Sequence, residues 1–197
     1  MIAFDRAWQS GFGLETDVRD CNGKLVISHD MPGEDALSVE AFLQAYVERG
    51  GNTCLGLNIK ADGLASPLKS LLEQYGISNY FVFDMSVPDT LHYVRQDMTV
   101  FTRRSEYEPV SVLEADAQGI WWDSFTGADD VSMASMALEA GKRAALVSPE
   151  LHGRPYKDVW KTWFEDISAR RPQATDFMVC TDFPDEFQQL LNECEMR

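Results

Sequence analysis

Glu15 and Asp17 stand two residues apart inside the apolar run Leu14 to Val18. Alternate residues of an extended strand point the same way, so the two carboxylates share a face and can converge on one cation. Asn22-Gly23 follows, a dipeptide that two-residue hairpin turns favour because both central positions need positive φ. The hairpin expected there returns through Lys24 to Ser28 and brings His29 and Asp30 back near the acidic pair. A metal held by carboxylates, with an imidazole that titrates near neutrality beside it, suits phosphoryl transfer or hydrolysis. The plain alternative is two surface carboxylates on a twisted strand, against which stands their place within an apolar segment.

Short β-rich runs alternate with helical patterns along the rest of the chain, which predicts βα units and parallel sheet. Strands are expected at Leu14 to Val18, Cys54 to Ile59, Tyr80 to Phe83, Thr99 to Thr102, Gly119 to Trp122, Ala144 to Val147 and Phe177 to Cys180. Helices are expected from Ser38, with Phe42, Leu43, Tyr46 and Val47 as the apolar stripe, and from Ser66-Pro67 to Gly76. Others run from Pro88 through Tyr93, Asp129 to Ala140, Tyr156 to Ala169 and Pro184 to Glu193. Ile2, Phe4, Ala7 and Trp8 describe one more amphipathic helix, stopped at Gly11 and preceded by nothing.

With 197 residues the chain is one domain's worth, long enough for a substantial core. A formal charge of −15 argues against nucleic acid or an anionic membrane surface as partner. No apolar run approaches the roughly 20 residues that span a bilayer, and no signal peptide opens the sequence. Cys21, Cys54, Cys180 and Cys194 are scattered, which indicates neither a zinc site nor a disulfide framework and fits reduced thiols in a cytoplasm.

Glu-x-Asp-Val, a Gly-containing turn and a hydrophobic strand ending in His-Asp together resemble the glycerophosphodiester phosphodiesterase family, of the phosphatidylinositol-specific phospholipase C type of barrel. Leu57-Asn58-Ile59-Lys60 and Cys180-Thr181-Asp182-Phe183-Pro184 follow the same plan more loosely. The resemblance implies an α/β fold of the (β/α)8 barrel type over residues 1–197. It implies Glu15 and Asp17 as ligands of Mg²⁺ or Ca²⁺, and His29 as the general acid that protonates a leaving alcohol. Asn58 stands where the family pattern Leu-Glu-Ile-Lys has a third acidic ligand; its amide oxygen can still bind a hard cation, with one negative charge fewer. Lys60, two residues on, can neutralise phosphate charge in the transition state or make a simple salt bridge.

Eight strands close a parallel barrel, and only seven are recognisable here besides the hairpin arm. In the family a first strand bearing His-Arg-Gly precedes the opening helix and carries the second catalytic histidine. The expectation is therefore a missing N-terminal piece, and weak or no activity for the chain as written. The implied reaction is attack by a neighbouring substrate hydroxyl to give a cyclic phosphate, then hydrolysis, on a small glycerophosphodiester-like or polyol phosphodiester of lipid metabolism. Nothing in the pattern sets an oligomeric state.

Other residues are open to two readings. Asp84, Asp123, Glu150 and Asp182 end strands, where carboxylates contact substrate hydroxyls or cap the next helix; capping suits Asp182 best. Glu150 to Arg154 resembles a functional loop, with Glu150 and Arg154 as substrate-binding candidates, since Arg can fork onto a phosphate. Of Trp121 and Trp122, one can form a stacking wall for a sugar or inositol ring, with Trp122 the candidate, although tryptophan there more often packs under a helix. His92 lies in a helical stripe and reads as scaffold. Two rival functions are a non-catalytic binding module for a phosphorylated polyol or protein partner, and an unrelated metal-dependent lyase or aldolase using Lys60.

Overall fold

The opening amphipathic pattern forms helix α1 (Ile2–Gln9), which ends where Gly11 adopts a φ of +77°. The computed structural model describes residues 2–49, 51–127, 131–168 and 176–195. Asp129 and Ala169, expected to begin and end helices, lie outside the described residues, as does the Cys194 side chain. The chain forms two units, residues 1–101 and 102–197.

In the first unit the Glu-x-Asp segment is β1 (Leu14–Cys21), followed by β2 (Lys24–Ile27), the short β3 (Leu37–Ser38), β4 (Leu55–Ile59) and β5 (Tyr80–Phe83). Their order is β3-β2-β1-β4-β5. Strands β1, β4 and β5 are parallel, and β2 returns antiparallel to β1. Asn22 and Gly23 carry φ of +51° and +76°, the two left-handed positions a tight hairpin needs, and Cys21 faces Lys24 across them. Helices α2 (Val39–Arg49), α3 (Ala65–Gln74) and α4 (Val87–Val94) complete the unit. The Ser38 hydroxyl accepts the Ala41 amide at 3.1 Å, a side-chain N-cap.

Phe42, Leu43 and Tyr46 of α2 are buried, whereas Val47, expected in the same stripe, is exposed. Phe4 and Trp8 of α1 pack on Phe42 and Tyr46 with ring centroids 5.0 to 6.0 Å apart. Burying each such side chain contributes about 1.5–3 kcal/mol. The strand expected at Thr99 instead starts at Phe101. Thr99 and Val100 meet β5 through the Val82 amide bond to the Thr99 carbonyl, 2.8 Å, and an isolated Val82–Val100 bridge.

The second sheet has the order β6-β7-β8-β9, from β6 (Phe101–Arg104), β7 (Gly119–Trp122), β8 (Arg143–Val147) and β9 (Phe177–Cys180). Strand β8 runs parallel to both β7 and β9. Helices α5 (Ser132–Glu139), α6 (Lys157–Ser168) and α7 (Pro184–Glu195) accompany it, with a 3₁₀ turn at Pro149–His152. Ile120, Trp122, Ala144 and Leu146 form one core with Ala134 and Ala137 of α5 and with Trp160 and Trp163 of α6. Among the described residues no helix is long and apolar enough to cross a membrane.

Candidate functional site

Along β1, Thr16 and Val18 are buried at 6% and 0% exposure. Glu15 and Asp17 therefore share the opposite face, as the strand period requires. Parallel pairing sets Asp17 beside Asn58, and Glu15 beside Gly56 of β4. A Cβ on Gly56 would stand 3.0 Å from the Phe81 ring, so the missing side chain lets an aromatic ring close over the position next to Glu15. Burial then pushes the Glu15 carboxyl from its ordinary 4.5 up to about 7. The Asp17 charge and, more weakly, Asp84 add to the rise, while a hydrogen bond from Asn58 and the Lys60 charge oppose it.

Lys60 Nζ lies 3.3 Å from Asp17 Oδ1, with both side chains about four-fifths buried (21% and 18% exposed). Its backbone amide donates to the Val18 carbonyl at 3.0 Å, which holds it at the end of the β1–β4 pair. Asp84 follows β5 directly and takes a φ of +70°, a costly conformation for a non-glycine residue.

Asn58 is 8% exposed. Its amide nitrogen donates to Glu15, and its Oδ1 is buried with no hydrogen-bond partner. A buried acceptor left unmatched costs roughly 1–3 kcal/mol. Two like-charged carboxylates and an unsatisfied amide oxygen are a donor set that fits a hard divalent cation. The set holds two acids, and among the described residues no group of three or more His, Cys, Asp or Glu side chains gathers to hold a metal.

The hairpin carries the chain back as expected: the Ser28 amide donates to the Asp17 carbonyl at 3.1 Å, one residue short of His29. The imidazole itself is 74% exposed, and its Nδ1 meets Asp30 Oδ1 at 3.0 Å. Arg19 Nε donates to the His29 carbonyl at 3.0 Å. Among the described residues the ring bonds only to Asp30, so the fold brings the His29 backbone to the carboxylates without a side-chain contact. His92 is exposed on α4.

In the second unit the expected substrate residues do other work. Trp122 needs correcting: it is 7% exposed and packs in the core against α5 and α6, because its side of β7 is the helix-covered one, so it offers no stacking wall. Glu150 accepts the hydroxyls of Ser148 and Thr181 and, at 3.3 Å, the Asp182 amide, tying the ends of β8 and β9 together. Arg154 Nη2 donates to the Ser124 carbonyl at 2.6 Å. Thr181 accepts the Phe183 amide at 3.0 Å, the capping bond expected of Asp182.

Two features escaped the sequence pattern. His152 Nε2 meets Asp123 Oδ1 at 2.6 Å, with the two side chains 25% and 12% exposed, and Phe125 lies 5.0 Å from the imidazole. Both residues sit in segments that invite attention, a strand end and a Gly-containing loop, but a separation of 29 positions hides the pairing. Glu106 accepts the Ser124 hydroxyl (2.8 Å), the Phe125 and Thr126 amides (both 3.0 Å) and the Thr126 hydroxyl (2.9 Å). Its slight burial works to raise the carboxyl, yet these donors outweigh it and hold the group well below the usual carboxylate range.

Comparison with solved structures assigns the architecture. A glycerophosphodiester phosphodiesterase from Parabacteroides distasonis superposes with a TM-score of 0.74 at 14% identity, over 98% of this chain and 90% of that one. The chain has the glycerophosphodiester phosphodiesterase fold. The enzyme of that name from Agrobacterium tumefaciens matches at a TM-score of 0.63 and 15% identity, over 90% and 87% of the two chains. A Ca²⁺-dependent phosphatidylinositol-specific phospholipase C from Streptomyces antibioticus matches at 0.56 and 10%, over 92% and 89%. No family model and no curated protein matches the sequence. The likeness read from the Glu-x-Asp hairpin is thus borne out in the fold, including its α/β class; chemistry is a matter for the residues.

Proposed function

We propose that this chain is a divalent-metal-dependent phosphodiester hydrolase, with residues 1–197 as one phosphodiesterase-like domain. The observation that carries the reading is the buried, partnerless Asn58 oxygen between two acids of like charge, one of them pushed to about 7. Glu15, Asp17 and Asn58 would hold Mg²⁺ or Ca²⁺. When bound, the cation would polarise a nonbridging phosphate oxygen and offset the charge that builds up on it. Lys60, anchored to Asp17, would add a fixed positive charge near the phosphate.

In the reaction a neighbouring substrate hydroxyl attacks phosphorus and releases its proton to solvent, the bond to the leaving alcohol breaks, and a proton passes from His29 to that alcohol. Water then opens the cyclic phosphate. His29 is exposed, as a group must be if it is to meet a substrate arriving from solvent. The substrate is a small glycerophosphodiester or polyol phosphodiester, with the cytoplasm as the setting. A test is hydrolysis of glycerophosphocholine and of glycerophosphoethanolamine, each with a hydroxyl beside the phosphate, with Mg²⁺ or Ca²⁺. Turnover that EDTA abolishes and Asp17→Asn removes supports the reading; no turnover of either diester with either metal contradicts it.

A second reading is a binding module for a phosphorylated polyol. It is favoured by Asn58 in place of an acid and by the bonding of the His29 ring, among the described residues, to Asp30 alone. Metal-dependent thermal stabilisation by glycerol phosphate without diester turnover would select it.

A further inference from the structure

A second polar cluster lies in the first unit, where the chain leaves β4 and enters α4. Asp89 stands in the first turn of α4 and is 4% exposed. One oxygen, Oδ1, accepts the Gly63 amide at 3.0 Å, while the other, Oδ2, is buried with no partner. Tyr93, one turn on along the same helix face, is fully buried at 0%, and its hydroxyl also has no partner. Asp62, at the exposed side of the cluster, accepts the Ser86 hydroxyl at 3.0 Å. Neither carboxylate makes an ion pair among the described residues.

Leaving these groups unmatched is unfavourable on three counts. A carboxylate taken out of water calls for a counter-charge or full hydrogen bonding. The α4 N-terminus and the Gly63 amide meet part of that need, through the helix dipole and one bond, but Oδ2 and the phenol oxygen gain nothing from them. The Tyr93 hydroxyl is held far above its ordinary range, first by burial and then by the Asp89 and Asp62 charges. It therefore stays a neutral hydroxyl that feels two carboxylates.

We propose that Asp89, Tyr93 and Asp62 form a site for a monovalent cation, sodium or potassium, that ties the loop between β4 and α3 to α4. A singly charged ion matches the charge left over on Asp89 and gives both orphaned oxygens a partner. This site is separate from the Glu15, Asp17 and Asn58 set, and the inference does not depend on the phosphodiesterase reading.

The test is thermal unfolding of the full chain in EDTA at one ionic strength, in choline, sodium or potassium chloride. The expected result is a saturable rise in Tm of several degrees with sodium or potassium over choline. Asp89→Asn, which keeps an acceptor for Gly63, and Tyr93→Phe should each remove at least half of the rise, while Glu15→Gln should keep it. Equal Tm in the three salts, or a full rise in both variants, overturns the proposal. Should Asp89→Asn fail to fold, a crystal of the unaltered chain grown in rubidium chloride decides. An anomalous peak between Asp89 Oδ2 and the Tyr93 hydroxyl supports the site, and an ordinary bridging water there refutes it.

Discussion

Glu15→Gln is expected to stabilise the metal-free protein at pH 8 and to have little effect near pH 4.5. The folded carboxyl is raised from its ordinary 4.5 to about 7, so between those values the folded chain binds a proton that the unfolded chain has released. Its contribution to stability is thus fully present below about 4.5 and is lost as pH rises through about 7. A displacement of that size corresponds to roughly 3 kcal/mol. Glutamine mimics the neutral form at every pH and can still accept the Asn58 amide. In EDTA at pH 8 the variant should therefore exceed the parent by up to ~3 kcal/mol, or about 6–12 °C in Tm for a chain of this size.

Adding Mg²⁺ or Ca²⁺ closes most of the gap. At a hundredfold excess over Kd a bound ion stabilises the parent by about 2.7 kcal/mol, and the variant, lacking one ligand charge, should gain far less. Urea and thermal unfolding at pH 5 and pH 8, each with EDTA or metal, give all the values needed. The reasoning is refuted if Glu15→Gln is destabilised at pH 8 in EDTA, if the difference is the same at both pH values, or if both proteins gain equally from metal.

Three further outcomes are expected. Lys60→Met leaves Asp17 without its 3.3 Å partner beside a second acid; it should cost about 1–3 kcal/mol at pH 8, below the figure for a fully buried pair, and move the Glu15 transition to still higher pH in an unfolding series. His29→Ala should lower diester turnover by about 10²-fold or more, the scale of lost general-acid catalysis, with Tm unchanged because the ring is 74% exposed. Glu106→Gln weakens the acceptor for the Phe125 and Thr126 amides. Those amides should exchange faster by NMR at pH 7, with the contrast to the parent shrinking as pH falls and the parent carboxylate protonates.

The parts of this fold that were legible in the sequence are those governed by local rules. Asn22-Gly23 dictated a hairpin because few other dipeptides accept two positive φ values. The period of two put Glu15 and Asp17 on one face with Thr16 and Val18 behind them. Ser38 capped its helix because a serine hydroxyl just ahead of the first turn can accept a free amide there, here that of Ala41. What stayed hidden depends on contacts between distant segments. Trp122 rather than Trp121 faces the helices, a choice fixed by the position of α5 and α6 and not by the strand itself. The pushed-up Glu15 carboxyl depends on burial among neighbouring strands and on the Asp17 charge, with Gly56 of β4 beside it. The start of β6 at Phe101 instead of Thr99 reflects pairing partners, since Thr99 has as much strand propensity as the residues after it. The bond between His152 and Asp123 exists only because parallel strands β7 and β8 are neighbours.

The most direct test of the central claim is a crystal of the chain soaked in calcium chloride, read by anomalous diffraction. The account predicts an ion about 2.3–2.6 Å from oxygens of Glu15, Asp17 and Asn58 Oδ1. Density showing no ion among those side chains, with Asn58 Oδ1 bonded to a protein donor and Lys60 alone neutralising the acids, would contradict it.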